Sequence, residues 1–229
     1  MSEALGAAPA VSVAALERDY LALLLAPDLR EARGLIDEAL DCGLPASQAY
    51  LRVITPAMHE IGRLWETAEI SVAQEHLATQ ISQIVIAGLG GRLAAGANVG
   101  ADRVAIVAST PGELHALGTQ MVADFLEGQG WQVLALGADV PAQELVELTR
   151  TRRAAVVALS TALPGHLLSV TRTCQLLHQL NEPPHVVVGG RAYRGDPAQA
   201  YAVGADAFAP DPEALLTHLA EVFGAHARA

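Results

Sequence analysis

Two rhythms of apolar residues run along this chain, and one gives way to the other near residue 100. From Val11 to about Gly96 the apolar positions recur at helical spacing. Leu21, Leu24 and Leu25 lead into a stop at Pro27. Asp28 then caps a second helix, with Glu31 three residues on in capping-box position. Leu35, Ile36, Ala39 and Leu40 form the apolar face of that helix, and Gly43 with Pro45 ends it. A third helix is predicted from about Ala46 to Glu66, kinked by Pro56. Ser71 caps a fourth, with Gln74 completing the box and Leu77, Ile81, Ile84 and Val85 on one face. Four helices with short connections favour an antiparallel bundle.

Beyond the glycine-rich stretch from Gly88 to Gly100 the pattern becomes short apolar runs separated by helical segments. The runs are Arg103–Ala108, Gln132–Ala135, Ala154–Leu159, His185–Val188 and a weak Ala207–Phe208. Helices are predicted near Leu117–Glu127, Ala142–Arg150, Leu167–Leu180 and Pro197–Val203, with a last one from Glu213. This alternation implies a doubly wound parallel sheet of Rossmann-like, flavodoxin-like type. The expected organisation is therefore a short tail (1–10), a four-helix bundle (11–98) and a sheet domain (101–229). Ligands of such sheets sit beyond the carboxyl ends of the strands, so the loops after Ala108, Leu159 and Val188 are where chemistry is sought. The run Gly88-Leu89-Gly90-Gly91 follows a helix rather than a strand, which makes it a helix end and linker, not a dinucleotide loop.

Composition narrows the chemistry. Of 229 residues, 52% are hydrophobic and 17% charged, as in a chain that buries a core. All 14 basic residues are arginine; without lysine there is no Walker A lysine, Schiff base or lysine general base. A net charge of −11 argues against direct nucleic-acid binding. Cys42 and Cys174 lack metal-ligand spacing and read as free thiols of a cytoplasmic protein. No apolar run is long enough to span a membrane, and the N-terminus lacks the basic start of a secretory signal.

The loop after the first strand reads Ser109-Thr110-Pro111-Gly112-Glu113-Leu114-His115-Ala116-Leu117-Gly118. A histidine two residues after a carboxylate can have its ring and tautomer fixed by it, as metal-bound imidazoles do. Taken alone, a loop histidine without a ligand is the commoner outcome. Here three features coincide. Glu113-x-His115-x-x-Gly118 is followed by Ser160-x-Ala162 after 41 residues, and then by Gly189-Gly190 after 26 more. This resembles the D-x-H-x-x-G, S-x-L, G-G signature of cobalamin-binding domains, over residues 101–229. Glu113 stands for aspartate and keeps a carboxylate; Ala162 stands for leucine and leaves a wider wall or lets Leu163 fill it. The resemblance implies that His115 is the lower axial ligand of cobalt, and that the benzimidazole tail enters a slot lined by Ser160 and Thr161. Gly189 and Gly190, without side chains, let backbone and tail approach closely.

The bundle carries a second pattern: Trp65, then nine residues, then Glu75-His76. Its bland reading is a tryptophan anchor with two solvated polar residues. The segment Ile70-Ser71-Val72-Ala73-Gln74-Glu75-His76-Leu77-Ala78 resembles the cobalamin photoreceptors of the CarH and LitR type, whose bundle caps the upper face of adenosylcobalamin. By that resemblance Trp65 lies against the upper axial group, Glu75 and His76 contact the adenosyl group, and the cofactor is sandwiched between the two domains. Two departures stand out. Only about ten residues precede the bundle, too few for the family's MerR-type DNA-binding domain. The residue after Trp65 is Glu66, where the family has a cobalt-binding histidine; His59, His76, Glu66 or water is left to take the upper position after photolysis.

The resemblance thus implies a light-responsive, non-enzymatic cobalamin regulator of transcription. It would act through a protein partner, itself a transcription regulator, or through homo-oligomerisation. Adenosylcobalamin is the expected cofactor, with methylcobalamin or hydroxocobalamin as alternatives. The competing readings are the corrinoid subunit of a methyltransferase and a cobalamin storage or delivery protein. Among the other histidines, His166 is equally well a surface residue or a neighbour of the corrin edge; His178, His185, His218 and His226 show no partner pattern. Trp131 reads as core, and Arg150, Arg152 and Arg153 as a solvated helix end.

Overall fold

The computed structural model describes residues 12–94 and 103–224. The expected tail (1–10), the glycines Gly96 and Gly100 and the late His226 lie outside them. The chain divides into two compact units, residues 1–92 and 93–229.

The first unit is helical. It contains α1 (Val13–Leu25), α2 (Leu29–Asp41), α3 (Ala46–Gln48), a π-helical stretch (Ala49–Ile54), α4 (Thr55–Glu66) and α5 (Val72–Ala94). Asp28 caps α2 by accepting from the Glu31 N–H at 3.0 Å. The expected third helix runs from α3 to α4 through the π turn, which ends just before Pro56. Pro56 thus stands in the first turn of α4, directly after the π stretch, the kind of irregularity at which helices bend. Thr55 Oγ1 donates to the Tyr50 carbonyl at 2.8 Å across the junction.

Two expectations change in α5. The helix continues through Gly88, Gly90 and Gly91, so these glycines do not end it. Its buried positions are Ala78, Ile81, Ser82, Val85, Ile86 and Leu89, one stripe at helical spacing. Leu77 (49% exposed) and Ile84 (46%) lie off that stripe, although the sequence grouped them with Ile81 and Val85. The burial of Ile86 and Leu89 offsets the low helix propensity of the glycines around them.

The second unit is a five-stranded parallel sheet: β1 (Val104–Ser109), β2 (Gln132–Gly137), β3 (Val156–Ser160), β4 (His185–Gly189) and β5 (Ala207–Phe208), in the order β2-β1-β3-β4-β5. The intervening helices are α6 (Leu117–Gly128), α7 (Ala142–Arg152), α8 (Leu167–His178), α9 (Pro197–Ala202) and α10 (Pro212–Phe223). Every residue of β1 is buried, as a central parallel strand covered on both faces requires. Alternate side chains go to opposite faces. Val104, Ile106 and Ala108 join the core that includes Leu145 of α7 and Val170 and Leu177 of α8. Ala105 and Val107 join the one that includes Leu126 of α6 and Leu215 and Leu219 of α10. Trp131, just before β2, is part of this second core and meets Phe223 edge-on at 5.6 Å.

The order of strands reverses between β1 and β3, the place where sheets of this kind leave a crevice. Register sets the candidate residues in a row there: Ser109 pairs with Ser160, and Ser160 with Gly189.

Candidate functional site

The loop after β1 is shaped before it is functional. Glu113 N donates to the Thr110 carbonyl at 2.9 Å, closing a turn in which Gly112 takes φ +87°. Only glycine adopts that conformation without strain. Asp139, from the loop after β2, straps the turn: its Oδ1 accepts from Gly112 N at 2.7 Å, and its own N–H donates to the Glu113 carbonyl at 2.9 Å. Ser109 Oγ donates to the His115 carbonyl at 2.9 Å.

Glu113 is fully buried, and each of its donors is in place. Oε1 is bonded to His115 Nδ1 and accepts from the His115 N–H at 3.1 Å. Oε2 accepts from Ala162 N at 2.8 Å and Leu163 N at 3.0 Å, and lies 3.1 Å from His166 Nδ1. Burial alone raises this carboxyl's pKa. The bonds from the His115 ring, the His115 and Ala162 N–H groups and the His166 ring outweigh it, holding the group at about 2 against an ordinary 4.5. Glu113 is therefore a carboxylate at neutral pH, and it ties the loop after β1 to the loop after β3.

An ionised Glu113 decides the state of His115. A carboxylate oxygen against Nδ1 requires a proton there, so neutral His115 carries its free lone pair on Nε2. The His115 side chain is 52% exposed, so the ring is open to a ligand. One imidazole is the number of donors needed by a metal that a macrocycle already holds. Leu114 (75% exposed) and Leu163 (38%) stand on the same two loops, and Leu168 (63%) in the first turn of α8; they offer apolar surface to a large cofactor. The residues present fit a corrinoid bound through cobalt.

The remaining motif positions pack the strand ends. A Cβ on Gly118 would come 3.2 Å from Ser160 Oγ, so glycine lets the start of α6 lie close to β3. Thr161 is buried; its Oγ1 lies 3.3 Å from Thr110 Oγ1, and its N–H donates to the Gly189 carbonyl at 3.0 Å. A Cβ on Gly189 would stand 2.5 Å from the Ala209 carbonyl oxygen, and one on Gly190 (φ +104°) only 2.3 Å from that of Thr161. The close approach that excludes side chains at this pair is made by the protein's own backbone.

In the helical unit, Trp65 lies at the end of α4 and is 43% exposed. Glu75 and His76 are brought together, with Oε2 and Nδ1 2.5 Å apart, while Glu75 Oε1 accepts from Thr79 at 2.8 Å. The Ser71–Gln74 box forms in both directions: Gln74 Oε1 accepts from Ser71 N at 2.9 Å, and Ser71 Oγ from Gln74 N at 3.3 Å. Glu75 thus sits in the first turn of α5, where a carboxylate is favoured by the helix dipole.

Two groupings were not visible in the sequence. His166 sits on Glu113, a carboxylate 53 residues away. At the opposite, amino end of β4, His185 Nε2 lies 2.8 Å from His218 Nε2, and the two rings stack. Asp206 joins this cluster, 3.2 Å from His178 Nε2 and accepting from Val186 N at 2.7 Å. These partners come from α8, β4, α10 and the turn before β5, so no local spacing announces them.

Comparison with known proteins bears on the family and the fold. A B12 binding domain model matches residues 103–219, and a second B12 binding domain model matches residues 16–89. The HTH-type transcriptional repressor CarH of Myxococcus xanthus is 35% identical over 179 residues, covering 78% of this chain and 58% of CarH. The chain thus spans less than two thirds of that relative. The dimethylamine corrinoid protein of Methanosarcina barkeri is 24% identical over 170 residues, 72% of this chain and 78% of that protein. Among solved structures, the Methanosarcina barkeri monomethylamine corrinoid protein superposes with a TM-score of 0.81 at 23% identity, covering 92% of this chain and all of that one, a likeness of fold.

Proposed function

Since this chain belongs to the B12-binding domain family, we propose that it is a light-responsive cobalamin regulator that takes up adenosylcobalamin. The observation that carries the reading is the Glu113–His115 pair, which leaves one imidazole nitrogen free on an exposed ring. Similarity to CarH, at 35% identity, favours regulation over catalysis.

When bound, adenosylcobalamin supplies a cobalt–carbon bond that visible light breaks. The roles of this chain's residues follow. His115 Nε2 would donate to the cobalt, and Glu113 would keep the proton on Nδ1. Gly118, Ser160, Thr161, Gly189 and Gly190 form the strand-end wall for the nucleotide tail. Trp65 would offer an apolar surface, and Glu75 and His76 polar contacts, to the cofactor's adenosyl group. A switch would need the helical unit, through Trp65, to have two states whose balance depends on the cofactor's adenosyl group. The output passes to a protein partner or into a change of oligomeric state, in the cytoplasm.

The test is to load the protein with adenosylcobalamin in the dark and record its absorbance and oligomeric state before and after green light. Both change if the reading holds; if neither moves, it fails. His115→Ala is expected to lose the nitrogen lower ligand. Glu66→His, which places an imidazole after Trp65, is expected to add a stable bis-imidazole photoproduct.

A second reading is a corrinoid carrier that shuttles a methyl group between partner enzymes. The similarity to the dimethylamine corrinoid protein over 72% of the chain supports it. It requires that a methyl donor reach the upper face, and it predicts dark methyl transfer that light does not control.

A further inference from the structure

The loop after β3 ends in a single turn of 3-10 helix, Pro164–His166, and its last residue turns back onto the carboxylate that holds His115. Glu113 thereby carries one imidazole on each oxygen: His115 on Oε1 and His166 on Oε2. His166 is only 24% exposed. A Cβ on Gly112 would stand 3.4 Å from its Cδ2 and Nε2, so the ring lies against the open side of that turn. The ring is thus fixed both by its Nδ1 contact and by its packed edge.

We propose that His166 is a positioning residue that acts through Glu113 to fix the tautomer of His115, and so to keep His115 Nε2 available as a ligand.

The argument is geometric. A carboxylate whose two oxygens were equivalently placed could rotate, or tilt away from His115. Here Oε2 is anchored by Ala162 N, Leu163 N and His166 Nδ1, three donors from the loop after β3. Only Oε1 is left for His115. The tautomer with its proton on Nε2 would set the Nδ1 lone pair against Oε1, two acceptors in contact. The Nδ1–H tautomer satisfies both partners. Removing the His166 donor leaves Oε2 on two backbone N–H groups of a loop, and the carboxylate gains freedom. Outer partners of metal-bound histidines typically change metal affinity by about 10- to 100-fold.

The role in ligation rests on the cobalamin reading above; the tautomer itself does not. The first arm therefore uses the cofactor-free, full-length chain. Long-range proton–nitrogen NMR correlations of the imidazoles report which His115 nitrogen is protonated. Wild type is expected to show the Nδ1–H form alone. His166→Phe keeps a ring beside Gly112 but removes the donor, and is expected to give a mixture of tautomers. His166→Gln returns an N–H donor and is expected to restore the single form. A purely structural role for His166 would not sort the variants by donor. If His166→Phe keeps His115 in the Nδ1–H form alone, the proposal is overturned.

The second arm loads each variant with cobalamin, reduces it to the Co(II) state, and reads nitrogen superhyperfine splitting from the lower ligand by EPR, with the rate of cofactor release. Release is expected to be about 10-fold faster in His166→Phe than in wild type or His166→Gln. Should wild type bind no cobalamin while the NMR arm behaves as expected, the cobalamin reading falls and the positioning role stands. Should cobalamin bind through His115 and be released equally fast from all three proteins, the role in ligation falls alone.

Discussion

Replacing Glu113 with glutamine changes one oxygen to an amide and tests the site at its centre. The carboxylate is buried and accepts five contacts, two on Oε1 and three on Oε2. In Glu113→Gln the NH₂ must face either His115 Nδ1–H and N–H, or the Ala162, Leu163 and His166 donors. In both orientations donors oppose donors, and each lost bond to a charged group is worth roughly 1.5–3 kcal/mol, partly offset by the easier burial of a neutral amide. The displaced pKa gives a second scale for the same bonds. A carboxyl held at about 2 against 4.5 favours the charged form in the folded protein by about 3 kcal/mol. The sign follows from the depressed value: the stabilisation is complete above the ordinary 4.5 and is lost as pH falls toward 2. Glu113→Gln is therefore expected to cost about 3 kcal/mol at pH 7, and less than half of that by about pH 3. Urea unfolding followed by Trp131 fluorescence measures it, because Trp131 is buried in the sheet unit against Phe223. A Trp65→Phe background removes the other tryptophan. A gap below about 1 kcal/mol at pH 7, or one that stays constant down to pH 3, would refute the reasoning.

Three further outcomes are expected. Gly190→Ala places a Cβ 2.3 Å from the Thr161 carbonyl oxygen at φ +104°, and should cost about 3 kcal/mol or more in the same unfolding assay. Gly165→Ala, whose Cβ meets nothing within 4 Å, should stay within about 0.5 kcal/mol, and equal effects would show that the close approach is not the cause. In thiol titration with an aromatic disulfide, exposed Cys42 should react at once. Cys174, buried and with its thiol pushed up to about 12, should react only on unfolding; prompt reaction of two thiols would contradict this burial. Burial holds His185 below the ordinary imidazole value of 6.5 despite Asp206, so the folded sheet unit resists its protonation and loses stability as pH drops below that value. His218→Gln, which keeps a hydrogen-bonding partner for His185 but removes the neighbouring imidazole that helps hold its pKa down, should flatten that acid slope, and an unchanged slope would place its origin elsewhere.

How far the sequence reaches is clearest at the residues themselves. The change of apolar period exposes the alternation of strands and helices because it reports local geometry. The caps at Asp28 and Ser71 are legible for the same reason, since each involves residues three positions apart. The continuation of α5 through Gly88, Gly90 and Gly91 is not legible, because burial of Ile86 and Leu89 decides it against propensity. Nor is the exposure of Leu77 and Ile84, which depends on which face the other helices of the unit cover.

At the site, the Glu113–His115 pairing is short-range and visible, whereas the anchoring of Glu113 by Ala162, Leu163 and His166 spans 49 to 53 residues and is not. That distinction matters for mechanism. A carboxylate two residues from a histidine is only a possible partner until something fixes its other oxygen. Here the fold does so by setting β1 and β3 side by side at the point where strand order reverses, so that Ser109 pairs with Ser160. The glycine pair follows the same logic. Gly189 and Gly190 suggest room for a ligand, yet the backbone oxygens of Ala209 and Thr161 occupy the space where their Cβ atoms would stand. They bring the ends of β3, β4 and β5 close enough to make one edge. A side chain at either position would push those strand ends apart, and with them the loop that carries Ala162, Leu163 and His166 to Glu113. The motif's widely spaced parts are thus coupled through packing: its glycines hold together the frame on which the carboxylate orients His115.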